Sequence, residues 1–518
     1  MRRNHFLFFV SLSLVALGGC ELTEFTDSMT PPESVLEMVN ASTQLTDPPE
    51  FNPWVDTSAD RLATFSVDVD TASYSIARRA LNEGGLPDPK KLRVEEFVNY
   101  FKYDYPAPSP SDPDPFSITL EAAPSYFGQD LHLLRVGVRA EAIPDAQRPP
   151  TNLVFLIDVS GSMQSADRIG FVKYGLKSLV DALRPQDTIG IVTYAGQERV
   201  ALEPTPVSER SKIINVIDGL IAEGSTNGEA GMRRAYELAE SVRCTNRPNL
   251  QQDCSQAIDR VILCTDGDFN VGLSGDALVD EVKSWRDRGI YLSVLGVGTD
   301  NLNDSLLNQL TENGNGNYAY IDTHNEAKRA LVDELGGTIQ VVAQDVKVQV
   351  EFNPDVISRY RLVGYETRVL NDEDFDDDKI DAGDIGSGHM VTALLEFEMK
   401  SEVVVKGTAL NVEIDPAFAS AQFIDVRVRY KEPGSTVSKE VVKVVPLSTV
   451  VTSFDAASND LRYAAAVTEF AEILRRSPFA EGARFAEIRT IAQAAMGNEA
   501  NNRQEFLELV SKAETLWY

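Results

Sequence analysis

Three short clusters carry most of the oxygen chemistry in this chain. The apolar run Leu153–Val159 ends in Asp158-Val-Ser160-Gly-Ser162. Gly224-Ser-Thr226-Asn227 precedes a helical pattern, and Thr265-Asp266-Gly-Asp268 follows the apolar run Val261–Cys264. Asp158, Ser160, Ser162, Thr226 and Asp266 together form an oxygen-only donor set with two carboxylates. Such a set suits one hard divalent cation, Mg²⁺ first, with Mn²⁺ or Ca²⁺ as alternatives. The shortage of sulfur and nitrogen donors nearby argues against zinc. Gly161 permits the tight turn that lets the two serine hydroxyls converge. Asp268 and Asn270 read as turn residues on the rim.

The flanking periodicities say what must position these groups. Strand-like runs at Leu153–Val159, Thr188–Tyr194, Arg199–Leu202 (short, at an edge), Arg260–Thr265, Ile290–Val297 and Asn317–Ile321 alternate with helical patterns at 166–183, 208–221, 227–242, 275–288, 302–311 and 326–335. Apolar strands between helices imply an α/β fold, a doubly wound parallel sheet over residues 151–338, whose ligands sit beyond the carboxyl ends of the strands. After Gly336-Gly337 the pattern becomes alternating strands, a β-sandwich over 339–446, which the strands within 116–150 are expected to join. Residues 447–518 read as a helical segment, and 61–105 as an α/β segment with a strand at Phe65–Asp70 and helices at 71–82 and 94–101.

The D-x-S-x-S run, the distant threonine and the distant aspartate, each at a strand end and in this order, resemble the metal-ion-dependent adhesion site of von Willebrand factor type A (VWA) domains. That resemblance covers residues 151–338. It implies that Ser160, Ser162 and Thr226 bind the ion directly, that Asp158 and Asp266 bind it directly or through water, and that a partner's acidic side chain fills an open coordination position. The segments Phe65-Ser-Val-Asp-Val-Asp-Thr-Ala-Ser-Tyr74, Val94–Phe101 and Asp381-Ala-Gly-Asp-Ile-Gly-Ser-Gly-His389 further resemble a family of bacterial VWA lipoproteins whose flanking parts have no assigned activity.

The amino terminus fits that class. Arg2 and Arg3 precede an apolar run, Phe6–Leu17, too short to span a bilayer, which ends in Leu17-Gly-Gly-Cys20. This resembles a lipobox: residues 1–19 read as a signal peptide, Cys20 as the lipidated residue and 20–60 as a flexible tether. Glu21, where Asp would favour inner-membrane retention, points to a lipid anchor on the outer membrane of the envelope. Cys244 and Cys254 are candidate disulfide partners, and Cys264 reads as a buried strand residue.

A net charge of −31 disfavours nucleic acid and anionic lipid surfaces as partners. No Walker A loop, H-E-x-x-H or G-x-S-x-G signature is present, so no enzymatic activity is expected. Asp68-Val-Asp70-Thr-Ala-Ser73 is read as a strand end feeding a helix N-cap in preference to a second ion site. The acidic run Asp372–Asp378 is read as a solvated, mobile loop in preference to a Ca²⁺ loop. The expected function is a membrane-anchored binding or adhesion module that engages a protein partner through the ion. The alternative is an envelope scaffold in which the metal only stabilises the fold. Under the first, Asp158→Ala abolishes partner binding and spares the fold; under the second it lowers thermal stability and spares binding.

Overall fold

Apolar strands that alternate with amphipathic helices can hide both faces of a sheet only in a layered α/β unit, whereas strands with alternating polarity need a second sheet or a helical layer on one face. The computed structural model describes residues 51–517 apart from 68–69, 110, 129, 225–227, 244–257, 268–274, 299–303, 335–336, 338, 409–410, 419–420, 481, 483 and 498–499, and it contains both arrangements. The amino-terminal part supplies β1 (Val55–Asp56), β2 (Leu62–Ser66), α1 (Ala72–Asn82), α2 (Val94–Val98), β3 (Phe116–Pro124) and β4 (Leu131–Ala140). Next come β5 (Thr151–Asp158), α3 (Ile169–Ala182), β6 (Thr188–Tyr194), β7 (Glu198–Pro206), α4 (Arg210–Asp218), α5 (Gly228–Arg243), β8 (Ile258–Thr265), α6 (Gly275–Arg286), β9 (Ile290–Val297), α7 (Asp304–Asn313), β10 (Tyr318–Ile321) and α8 (His324–Lys328). The chain ends with β11 (Val341–Phe352), β12 (Ile357–Val363), β13 (Gly383–Gly386), β14 (Met390–Met399), β15 (Val404–Thr408), β16 (Asn411–Ile414), β17 (Gln422–Lys431), β18 (Ser438–Pro446), α9 (Asn459–Leu474), α10 (Phe485–Ala494) and α11 (Ala500–Trp517).

The α/β unit is a six-stranded sheet in the order β10-β9-β8-β5-β6-β7. Every residue of β5 is buried. Leu153, Phe155 and Ile157 pack with Leu176 and Leu179 of α3, while Val154 and Leu156 pack on the other face with Met232, Ala235 and Tyr236 of α5. The period of two thus serves two cores, each such side chain contributing about 1.5–3 kcal/mol. β5 runs parallel to both β6 and β8. The chain leaves β5 toward β6 on one side and returns to β8 on the other, so β5 and β8 flank the switch point of the sheet. The sheet is not wholly parallel: β7 is longer than the sequence reading and antiparallel to β6. The three residues between them allow only a hairpin.

The sandwich is built from two antiparallel sheets, β1-β12-β14-β4-β3 and one containing β13-β11-β17-β18 with β2 also paired to β11. β3 and β4 lie before the α/β unit in sequence, and β11 follows it. Residues 61–105 do not form a sheet of their own. β2 pairs with β11 from Leu62↔Glu351 to Ser66↔Lys347, and α1 and α2 join α9 to α11 in a helical layer on the outer face of the first sheet. The run Asp372–Asp378 is pinned in place: Phe375 is buried, Lys347 donates to the carbonyls of Asp374 and Asp377, and Arg429 pairs with Asp378 at 2.9 Å. Expecting a mobile loop here overlooked the cations of β11 and β17, which become neighbours only on folding.

α9 is buried along almost its whole length and carries Glu469, whose Oε1 has no hydrogen-bond partner. Burial, reinforced by Glu472 and Glu396, pushes this carboxyl up from its ordinary 4.5 to about 8. A raised acid contributes stability that is complete below the unfolded value and is lost as the pH rises through the folded one. Glu469→Gln should therefore match the wild type near ~pH 5 and exceed it by roughly 2–4 kcal/mol near ~pH 9 in urea denaturation. Equal stability at both pH values would refute this.

Candidate metal centre

β5 ends in Asp158 and β8 in Thr265, with Asp266 immediately after, so both carboxylates stand at the carboxyl edge of adjacent strands. Asp158 is fully buried; its Oδ1 accepts the Ser160 N–H at 2.8 Å, and its Oδ2 accepts the hydroxyls of Tyr194 at 3.2 Å and Thr265 at 3.4 Å. The Ser160 and Ser162 Oγ atoms lie 2.9 Å apart. The turn that carries them is tied to the loop after α4, with the Gly161 N–H donating to the Gly224 carbonyl at 3.0 Å and Glu223 N–H to the Val159 carbonyl at 2.7 Å. Thr226, expected to supply the third hydroxyl, lies outside the described residues, as do Cys20, Cys244 and Cys254. Cys264 is a buried thiol on β8.

Burial, with Asp266 close by, pushes Asp158 up to about 6 against the hydrogen bonds that pull it down. Asp266 is buried too; its Oδ2 accepts from Arg168 at 2.9 Å, and its Oδ1 has no hydrogen-bond partner. A buried carboxylate oxygen left without a donor is costly. Here it belongs to a carboxylate close to Asp158 and tied through Arg168 to the turn that carries two clustered hydroxyls, so the residues present fit a divalent cation held by oxygen alone.

Arg168 is the residue that motif reading overlooks. Its guanidinium also donates to the Ser162 carbonyl at 2.8 Å, and it packs against Gly298, where a Cβ would collide with it. A local signal existed: an arginine at the start of a helix opposes the helix dipole and needs a nearby acceptor. Arg168 would compete with any cation held by Asp266. Arg168→Gln should tighten Mg²⁺ binding about fivefold by titration calorimetry, the worth of one nearby like charge; unchanged or weaker binding would refute the competition.

Asp70 is engaged across the fold. Its Oδ1 accepts the Tyr318 N–H at the start of β10 at 2.7 Å, and the α1 N-cap, Thr71, makes no side-chain cap bond. Tertiary pairing took the carboxylate that the sequence reading assigned to a local cap.

Sheet order, switch point and edge constellation define a von Willebrand factor type A domain, and that family's pattern matches residues 152–334. Such domains generally serve protein interaction and adhesion. Residues 42–135 match a family described as von Willebrand factor, and residues 337–516 match the family "Uncharacterized protein YfbK, C-terminal". The chain is 39% identical over 473 residues to uncharacterized protein YfbK of Escherichia coli (strain K12), covering 89% of this chain and 80% of that protein. It belongs to the YfbK family. It is also 32% identical over 155 residues to inter-alpha-trypsin inhibitor heavy chain H4 of Homo sapiens, covering 29% of this chain and 16% of that one. Among solved structures, a von Willebrand factor type A protein from Catenulispora acidiphila aligns with 78% of this chain and 90% of its own, at 16% identity and a TM-score of 0.43.

Proposed function

We propose that the chain is a lipid-anchored envelope protein whose VWA domain binds a protein partner in a metal-dependent manner, without catalysis of its own. The observation that carries the reading is the Asp266 Oδ1, buried without a donor on a carboxylate that Arg168 ties to the turn carrying the paired Ser160 and Ser162 hydroxyls. Asp158, Ser160, Ser162, Thr226 and Asp266 would hold the ion. When bound, the ion supplies a Lewis-acidic position open to an acidic side chain of the partner. The chain's own residues do the rest. Tyr194 and Thr265 hold the Asp158 carboxylate in a fixed orientation, and Arg168 offsets the charge of Asp266. The resemblance of Leu17-Gly-Gly-Cys20, after the apolar run Phe6–Leu17, to a lipobox supports an envelope location.

The described histidines support binding over catalysis. His132 stacks on Phe397 at 5.3 Å, His324 meets the edges of Phe171 and Tyr174, and His389 lies 3.4 Å from Glu334. None of these contacts pairs an imidazole with a nucleophile.

The test is the melting temperature of the purified protein in EDTA and then in Mg²⁺, Mn²⁺ or Ca²⁺. A saturable rise is expected, about 2.7 kcal/mol of added stability at a hundredfold excess over Kd. No shift with any of the three ions would overturn the metal site. Capture of the same envelope proteins in EDTA as in Mg²⁺ would overturn its role in recognition.

A further inference from the structure

Away from the carboxyl edge of the α/β sheet, a cavity of about 260 Å³ lies where the turn between α7 and β10 meets β13 and the end of β2. Its walls come from segments that the metal site leaves unexplained: Ser66, Val67 and Asp70 on one side and Asp381 to Gly386 on another. The glycines of that second segment shape the wall, because a Cβ on Gly383 would overlap the Val67 carbonyl and one on Gly386 the Gly337 carbonyl.

Most charges around the cavity are neutralised in place. Arg368 lies 3.6 Å from Asp70 and 3.4 Å from Glu312, Arg286 is 2.5 Å from Asp381, and Lys431 is 2.5 Å from Asp345. Two are not. Arg260, on β8, is 1% exposed and lines the cavity. It donates from Nη1 to Ser293 Oγ at 2.7 Å and sits 5.6 Å from the Tyr291 ring centroid. Its Nε is buried without a hydrogen-bond partner, and no carboxylate among the described residues reaches ion-pair distance. Asp384 faces the same space, oriented by the Asn315 amide at 3.2 Å and the Asp345 N–H at 3.2 Å, and it too lacks a cation at ion-pair distance among the described residues. Burial pushes Asp384 up to about 7 and Arg260 down to about 10. Each group bears the marks of a charge waiting for a counter-ion.

A buried guanidinium and a half-buried carboxylate in one small cavity, beyond ion-pair distance of each other, call for a ligand charged at both ends. A bare anion would meet four carboxylates on the walls. A metal ion would meet the Arg260 guanidinium. We propose that this cavity binds a small zwitterion of amino-acid size, with its carboxylate on Arg260 and its ammonium on Asp384.

The test is thermal-shift titration of the purified full-length protein with L-alanine, D-alanine and L-glutamate, alongside propionate and ethylammonium, which carry one charged end each. The expected result is a saturable rise with at least one amino acid, and none with either half-ligand at the same concentration. The rise should be weakened about tenfold or more by Asp384→Asn, an isosteric change, and by Arg260→Met. No rise with any amino acid would overturn the proposal, as would propionate alone matching the amino acid. Binding unchanged in Asp384→Asn would overturn the assignment of the ammonium end. The first two arms use only the wild-type protein, so the proposal stays falsifiable even if a variant folds poorly. The Mg²⁺ response at the distant edge should be unchanged throughout.

Discussion

Arg78→Met is expected to cost about 3–5 kcal/mol of folding stability, the penalty for stripping a buried cation from its carboxylates. Arg78 lies on α1 with its side chain 4% exposed, against 1% for both Asp322 and Glu326. Its Nε and Nη2 grip the two oxygens of Asp322 at 2.7 and 2.5 Å, its Nη2 also reaches Glu326 at 2.8 Å, and its Nη1 reaches Tyr100 at 2.7 Å and Glu505 at 3.1 Å. One guanidinium thus joins the α/β unit, the amino-terminal helices and the carboxyl-terminal helix α11. Arg329 closes the knot from below, bonded to Glu326 at 2.6 Å and to Thr71 at 2.7 Å. Burial alone would raise Glu326, but Arg329 and Arg78 overcome it and hold the carboxyl below its ordinary range. A depressed acid contributes stability above its unfolded value that is lost as the pH falls. The loss in Arg78→Met should therefore be largest near neutrality and shrink in acid. Urea denaturation of wild type and variant at both pH values decides it. A loss under about 1 kcal/mol at neutral pH would mean that the packing of α1, not this ion network, fastens the unit.

The same network shows what the sequence could and could not reveal. The inner strands β5, β6, β8 and β9 of the α/β unit were legible because each is a short apolar run covered on both faces, so local composition alone marks it; the edge strand β7, half exposed, was read too short. The candidate site was legible for a related reason: Asp158 and Asp266 stand at the ends of such runs, and Asp158, Ser160 and Ser162 lie within five residues. β13 escaped notice because Gly383–Gly386 has little side chain to form a pattern; its place is set by close backbone approach to Val67 and Gly337. Arg78, Arg168 and Arg260 read as ordinary charged positions, because the carboxylates that pair with Arg78 and Arg168 lie between 98 and 427 residues away and the Ser293 hydroxyl that Arg260 reaches is 33 residues away. Polar groups within a few residues of one another announce themselves in sequence. Those paired across the fold do not, and in this chain they include the groups that bind its parts together.

Asp158→Asn is expected to reverse its effect on stability between metal-free and metal-bound conditions. In EDTA the wild type keeps a fully buried carboxylate at the end of β5, close to a second one, with no cation at ion-pair distance among the described residues. The amide has the same shape. Its oxygen can accept the Ser160 N–H, and its nitrogen can donate to the Tyr194 and Thr265 oxygens that now donate to Asp158. Removing an uncompensated buried charge without opening a cavity should make the variant about 1–2 kcal/mol more stable than wild type in EDTA at neutral pH. With saturating Mg²⁺ the order should invert: the wild type gains stability, while the variant binds the ion at least ~100-fold more weakly and gains little. A crossing of the two melting curves thus separates a carboxylate kept for a ligand from one kept for the fold. If the variant is the less stable in EDTA as well, Asp158 is a structural anchor of β5. If both proteins rise equally with Mg²⁺, the ion binds elsewhere. Only the crossing is consistent with an edge that accepts a strained metal-free state in order to bind.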